Sequence, residues 1–137
     1  MIEHLSQPRA MLRQMMEVVA PDGDILLSTP NFAHWYPRLR VALGLFDYDR
    51  RGILDETHLR FFTRRSLLRM VRAVGLEVKE LRYTGLPFEV VHRGTGIGSR
   101  IMLGLSRALV RLRPTLFGYE FVLRLRPHSA GLVIHLD

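Results

Sequence analysis

The chain has 137 residues, 47% of them apolar, no cysteine and a formal net charge of +7, which fits one domain (1–137) with one core and leaves no disulfide framework and no thiolate metal site. No charged start leads into an apolar signal-peptide run, and no apolar run approaches the roughly 18 residues of a spanning helix, so a cytoplasmic chain without a transmembrane segment is expected. The isoelectric point near 10.9 invites a nucleic-acid partner, but every basic residue except Lys79 is arginine and acidic residues are interspersed, so a solvated basic surface is favoured over specific nucleic-acid binding.

Ser6 is placed to cap a helix whose third position is Pro8, and Leu12, Met15, Met16 and Val19 then form one apolar stripe that packs on a sheet. Ala20-Pro21-Asp22-Gly23 has the residue preferences of a type I turn and feeds a strand from Asp24 to Thr29. That strand is stopped by Pro30-Asn31. The stretch from Leu27 to Thr63 then gathers Asn31, His34, Trp35, Arg38, Tyr48, Asp55, His58, Arg60 and two phenylalanines into one long connection after a strand's carboxyl end, the place where open α/β sheets bind ligands. Within it, Trp35, Leu39 and Ala42 suit a short helix ending near Gly44, and Phe46 to His58 has no sustained period and reads as loop.

Thr63 is expected to cap a helix bearing Leu67, Leu68, Val71 and Val74 and closed by Gly75. Leu76 to Tyr83 follows as a strand whose imperfect alternation points to a bulge or to cover on both faces. From Ser99 to Arg113 a helix places Ile101, Leu105, Ala108, Leu109 and Leu112 opposite Arg100, Arg107 and Arg111, an arrangement suited to packing within the protein, with peripheral contact at an acidic membrane surface as the alternative. A last strand is expected over Phe117 to Leu125, stopped by Arg126-Pro127; the apolar run Leu132-Val133-Ile134 is unassigned.

Two constellations are weaker. Gly94-Thr95-Gly96-Ile97-Gly98 has the outline of a phosphate-cradling turn, but the strand before it is very short and the next strand ends without a carboxylate for a ribose, so a glycine linker is favoured. None of the six histidines pairs with another at helical i, i+4 spacing, so no metal site is expected.

Ile2-Glu3-His4-Leu5 before a helix, Pro21-Asp22-Gly23 before a strand ending Ser-Thr-Pro-Asn, Asn31-Phe32-Ala33-His34-Trp35, Gly52-Ile53-Leu54-Asp55 and Thr57-His58-Leu59-Arg60-Phe61-Phe62-Thr63 together resemble the second half of class I S-adenosylmethionine-dependent methyltransferases. The branch is similar to the methionine-biosynthesis W protein and to sugar- or lipopolysaccharide-associated methyltransferases. The likeness runs from Ile2 to about Gly85 and more weakly through Phe117 to Pro127, leaving residues 128–137 as an unassigned tail. It implies an α/β fold: the C-terminal half of a Rossmann-like sheet, with flanking helices and a final antiparallel strand.

In that family a glycine-rich turn and an acidic residue hold the cofactor, and both precede the Glu-His-Leu motif, which here starts at Glu3. The resemblance therefore implies a chain lacking the cofactor-binding half, with little affinity for S-adenosylmethionine alone. Its partners would be a small-molecule or glycan acceptor and either a complementary cofactor-binding half or further copies recruited through an exposed sheet edge. By the same likeness Glu3 and His4 edge the cofactor pocket, and Ser28, Pro30 and Asn31 adjoin the acceptor.

Transfer to an oxygen or nitrogen needs alignment and a base, for which His58 and His34 are the candidates because an imidazole titrates near neutrality. Asp55 is placed to orient His58, and Arg38 or Arg60 to hold an anionic acceptor. His58 serves equally as a residue that fixes its loop by hydrogen bonds, and Trp35 is as much core as substrate wall. Two other functions compete with a methyltransferase: a non-enzymatic partner-binding remnant and a basic nucleic-acid-binding domain.

Overall fold

The computed structural model describes residues 1–20, 22–85 and 97–128. A 3-10 turn (Ile2–His4) leads into α1 (Pro8–Val18), β1 (Ile25–Pro30), α2 (Trp35–Ala42), α3 (Arg64–Ala73), β2 (Leu76–Thr84), α4 (Ile97–Leu112), the single turn α5 (Pro114–Phe117) and β3 (Glu120–Pro127). The strands form one sheet in the order β1-β3-β2, with β3 antiparallel to both neighbours. β1 and β2 are therefore parallel, and their carboxyl ends meet the start of β3: Glu120 pairs with Pro30 on one side and with Thr84 on the other. This is a mixed α/β fold with its final strand antiparallel, as the sequence implied.

Strand periodicity builds the core. Ile25, Leu27 and Thr29 of β1 and Phe121, Leu123 and Leu125 of β3 are buried on one face, where Leu12 of α1 and Leu67, Met70 and Val71 of α3 cover them. Full burial of each such side chain contributes about 1.5–3 kcal/mol. Thr63 caps α3 in a reciprocal box with Ser66, and Gly75 ends it at φ +88°, a left-handed conformation that glycine adopts without a Cβ clash. β2 carries the expected bulge as a register shift between Val78 and Glu80.

Four expectations are corrected. Gln7, not Ser6, is the N-cap of α1, because Pro8 occupies the first helical position and fixes where the helix starts. The Trp35-Leu39 stripe of α2 faces outward; the helix is held instead by buried Pro37 and by Tyr36 and Arg40, which bind Asp49 at 2.9 and 2.7 Å. In α4 Ile101, Leu105 and Leu112 are exposed while Leu109 is half-buried, so the described residues cover the predicted packing face only in part. The last strand begins at Glu120 rather than Phe117, since Pro114 opens the α5 turn. Residues 94–96 of the glycine cluster and the run Leu132–Ile134 lie outside the described residues. No described helix is long and apolar enough to cross a membrane.

Candidate functional site

At the carboxyl ends of β1 and β2 a cavity of about 530 Å³ opens between the sheet, the loop at residues 52–58 and α4, its walls including Pro30, His58, Thr84, Arg107 and Glu120. The loop reaches the sheet because the backbone N–H groups of Leu59 and Arg60 both donate to the Glu3 carbonyl at 2.9 Å. Gly52 makes the turn at φ +100°, where an added Cβ would lie 2.9 Å from the Tyr119 hydroxyl.

His58 is buried in this wall. Its Nδ1 lies 3.1 Å from the carbonyl oxygen of Ile53, and its Nε2 lies 3.9 Å from Glu3 Oε1. His4 lines the same cavity, its ring 4.8 Å from that of His58 and its Nδ1 3.1 Å from the Thr57 carbonyl. Asp55 also lines the cavity, but its Oδ1 accepts from the backbone N–H of Thr57 at 2.8 Å and from the Thr57 hydroxyl. These hydrogen bonds hold the Asp55 carboxyl below its usual range. The Ile53 carbonyl thus stands where Asp55 was expected to orient His58, and the Asp55 carboxylate is turned to Thr57.

Glu3 is buried beneath the histidines. Its Oε2 accepts from the Thr29 hydroxyl at 3.0 Å and its Oε1 from the Met1 ammonium at 2.6 Å. Burial raises the Glu3 carboxyl, but the ammonium, the residue's own backbone and Thr29 outweigh it and hold the group ionised below its ordinary value. Glu3, His4 and His58 offer ligand atoms within 4.8 Å of one another.

The remaining predicted residues fall elsewhere. His34 is buried as the N-cap of α2, its Nδ1 accepting from the Tyr36 N–H at 3.3 Å, and burial pushes its pKa down to about 4. With Trp35 it lines a second cavity of about 320 Å³, against Leu105 and Leu109 of α4. Ser28 is exposed on the opposite face of β1 from Thr29. Asn31 is fully buried and wholly engaged with backbone, donating to Thr115 and Gly118 and accepting from Ala33. Arg38 binds the Ala33 carbonyl at 2.6 Å, outside the His58 cavity. Arg60 donates to the Ser6 carbonyl at 2.9 Å and lines a basic cavity with Arg9, Arg13 and Arg69. Of the predicted set, Pro30, Asp55, His4 and His58 line the cavity at the strand ends, with Glu3 beneath the two histidines. Thr29, Tyr119 and Glu120, which sequence reasoning did not single out, complete the surroundings; their signal was their position at strand ends.

The arrangement offers imidazole nitrogens beside an ionised carboxylate at the mouth of a parallel strand pair, a setting that orients a nucleophile and takes up positive charge. No curated protein matches the chain. A family model described as a methyltransferase domain matches residues 1–81, which take in β1, the whole 52–58 loop and most of β2. With more than half of its length matched, this chain belongs to the methyltransferase-domain family.

Proposed function

We propose that the cavity at the ends of β1 and β2 is the acceptor side of an S-adenosylmethionine-dependent methyl transfer to an oxygen or nitrogen of a small molecule or glycan. The observation that carries this reading is the pair His4 and His58. Both rings have Nδ1 at a backbone carbonyl, which leaves both Nε2 atoms at the cavity wall beside Glu3. A carbonyl only accepts, and the Thr57 hydroxyl 3.1 Å from His4 Nδ1 already donates to Asp55, so the hydrogen of each neutral ring is on Nδ1 and Nε2 keeps its lone pair. Such a pair accepts the proton that a hydroxyl or amine loses as it becomes a nucleophile, and the Glu3 carboxylate balances the charge formed. Arg107 on α4 and Glu120 at the start of β3 give the opposite wall one charge of each sign for positioning a polar acceptor.

S-adenosylmethionine, when bound, supplies a methyl group on a sulfonium leaving group. The described residues do not fit it as a complete donor site. β1 ends in Pro30-Asn31 and β3 in Pro127-His128, neither a glycine-rich turn, and Glu3 is engaged by Met1 and Thr29. The donor is therefore assigned no contacts here. A partner-binding role is the second reading, favoured by one observation: the outer edge of β1 has no paired strand among the described residues, and Leu26 on that strand is 73% exposed.

The test is incubation of the chain, joined to a cofactor-binding half of the same family, with methyl-labelled S-adenosylmethionine and a panel of hydroxylated and amine-bearing small molecules and glycans. Label incorporated into an oxygen or nitrogen of at least one class supports the proposal. Absence of label from every acceptor contradicts it.

A further inference from the structure

His4 Nε2 lies 3.6 Å and His58 Nε2 3.9 Å from Glu3 Oε1, and each of the three residues offers one ligand atom within 4.8 Å of those of the others. With both Nδ1 atoms at backbone carbonyls, two lone pairs and a carboxylate oxygen face one small volume, where the hydrogen on Oε1 is the Met1 ammonium's. Such a convergence is repulsive unless a cation occupies it. A positive charge is already drawn there: the Met1 ammonium donates to Oε1, and Met1 is exposed enough to swing away.

We infer that Glu3 Oε1, His4 Nε2 and His58 Nε2 form a binding site for one divalent transition-metal cation on the wall of the acceptor cavity. Two imidazoles and one carboxylate are a donor set suited to zinc and its first-row neighbours, whereas magnesium and calcium prefer oxygen alone. Bonds near 2.0 Å at tetrahedral angles set ligand atoms about 3.3 Å apart, so the two distances to Glu3 need to close by only a few tenths of an ångström. The longer closure, from 3.9 Å, falls on the buried His58 ring, and the exposed His4 ring closes from 3.6 Å.

The supporting shell is also present. The Ile53 and Thr57 carbonyls fix the two rings with Nε2 forward, and the Thr29 hydroxyl holds the other carboxylate oxygen at 3.0 Å. The charged groups facing the site are Asp55 on its own loop, Glu120 from β3 and Arg107 from α4. Helical spacing gave no sign of the site because the ligands come from the first turn of the chain and from a distant loop. Resting on the acceptor-site reading, the inference carries a consequence: with both Nε2 lone pairs on the cation, the imidazoles act as the base only in the metal-free chain, and with the cation bound an acceptor oxygen at the open coordination position loses its proton to solvent.

The experiment is calorimetric titration of tag-free, chelator-treated chain with Zn²⁺, Mn²⁺ and Mg²⁺ separately, with no donor or acceptor present. One equivalent of Zn²⁺ is expected to bind at about micromolar Kd, with Mg²⁺ weaker. His4→Ala, whose ring is exposed, should keep the wild-type fold and lose at least about tenfold in Zn²⁺ affinity. His58→Gln should do the same, and His128→Ala, at the far end of β3, should bind as wild type does. Cobalt substitution should give the visible d–d bands of a nitrogen-ligated site, absent in His4→Ala. No saturable Zn²⁺ binding below about 1 mM, or wild-type affinity in His4→Ala, overturns the inference. With a cofactor-binding half joined to it, a chain that binds Zn²⁺ but transfers no methyl group refutes the acceptor reading alone; one that transfers methyl groups after chelation and binds no Zn²⁺ refutes the metal site alone.

Discussion

The side-chain amide of Asn31 donates to the backbone carbonyl of Gly118 at 2.7 Å, fastening the residue after β1 to the turn that launches β3. A second bond from the same nitrogen reaches the Thr115 carbonyl at 3.0 Å, and the amide oxygen accepts from Ala33 N–H. Asn31→Ala would leave those backbone groups without their partner in a fully buried place. The expected loss is about 2–4 kcal/mol in urea unfolding. A loss below about 0.5 kcal/mol would show that Asn31 is not what holds the two segments together.

His34 makes stability depend on pH. Burial holds its pKa at about 4 in the folded chain, against the ordinary value of 6.5 regained on unfolding. Between those values the unfolded chain binds the proton and the folded chain does not. Stability is therefore complete above pH 6.5 and falls toward pH 4, by up to about 1.4 kcal/mol per pH unit. His34→Asn keeps a capping acceptor for α2 but cannot titrate. Unfolding at pH 7 and pH 5 should show the wild type losing about 1–2 kcal/mol more than the variant; equal losses would place the imidazole in water.

Local chemistry was legible in the sequence, and long-range convergence was not. The Thr63 cap, Gly75 and the irregular register of β2 follow from a hydroxyl, a missing Cβ and a broken alternation, each readable within a few residues. Ser28 and Thr29 mark the limit. Successive strand residues face opposite sides, so a one-residue choice decided that Thr29, not Ser28, reaches Glu3. Arg60 and His58 are two positions apart yet line different cavities. Asn31 was legible as important by its place after a strand, but its three bonds to backbone serve the fold.

The outer edge of β1, which has no paired strand among the described residues, predicts association. Sedimentation or light scattering should show the mass rising with concentration, and Leu26→Lys should reduce it by charging the strand. A concentration-independent monomer would mean that this edge recruits nothing.

α4 carries arginines and no acidic residue, and it exposes Ile101, Leu105 and Leu112. The chain should therefore sediment with vesicles containing anionic lipid, more weakly as salt rises, and not with zwitterionic vesicles. Ile101→Asp with Leu105→Asp should abolish that binding. Equal binding of the double variant would contradict an interfacial role for the helix.

The account rests on His58 acting at the acceptor while His34 only caps a helix. Methyl transfer from labelled S-adenosylmethionine, measured as kcat with a cofactor-binding half joined to the chain, for the wild type, His58→Ala and His34→Asn against the same acceptor, tests this directly. The predicted result is a fall of about 100-fold or more in His58→Ala and less than about threefold in His34→Asn. Wild-type turnover in His58→Ala, or an equal fall in both variants, would contradict it.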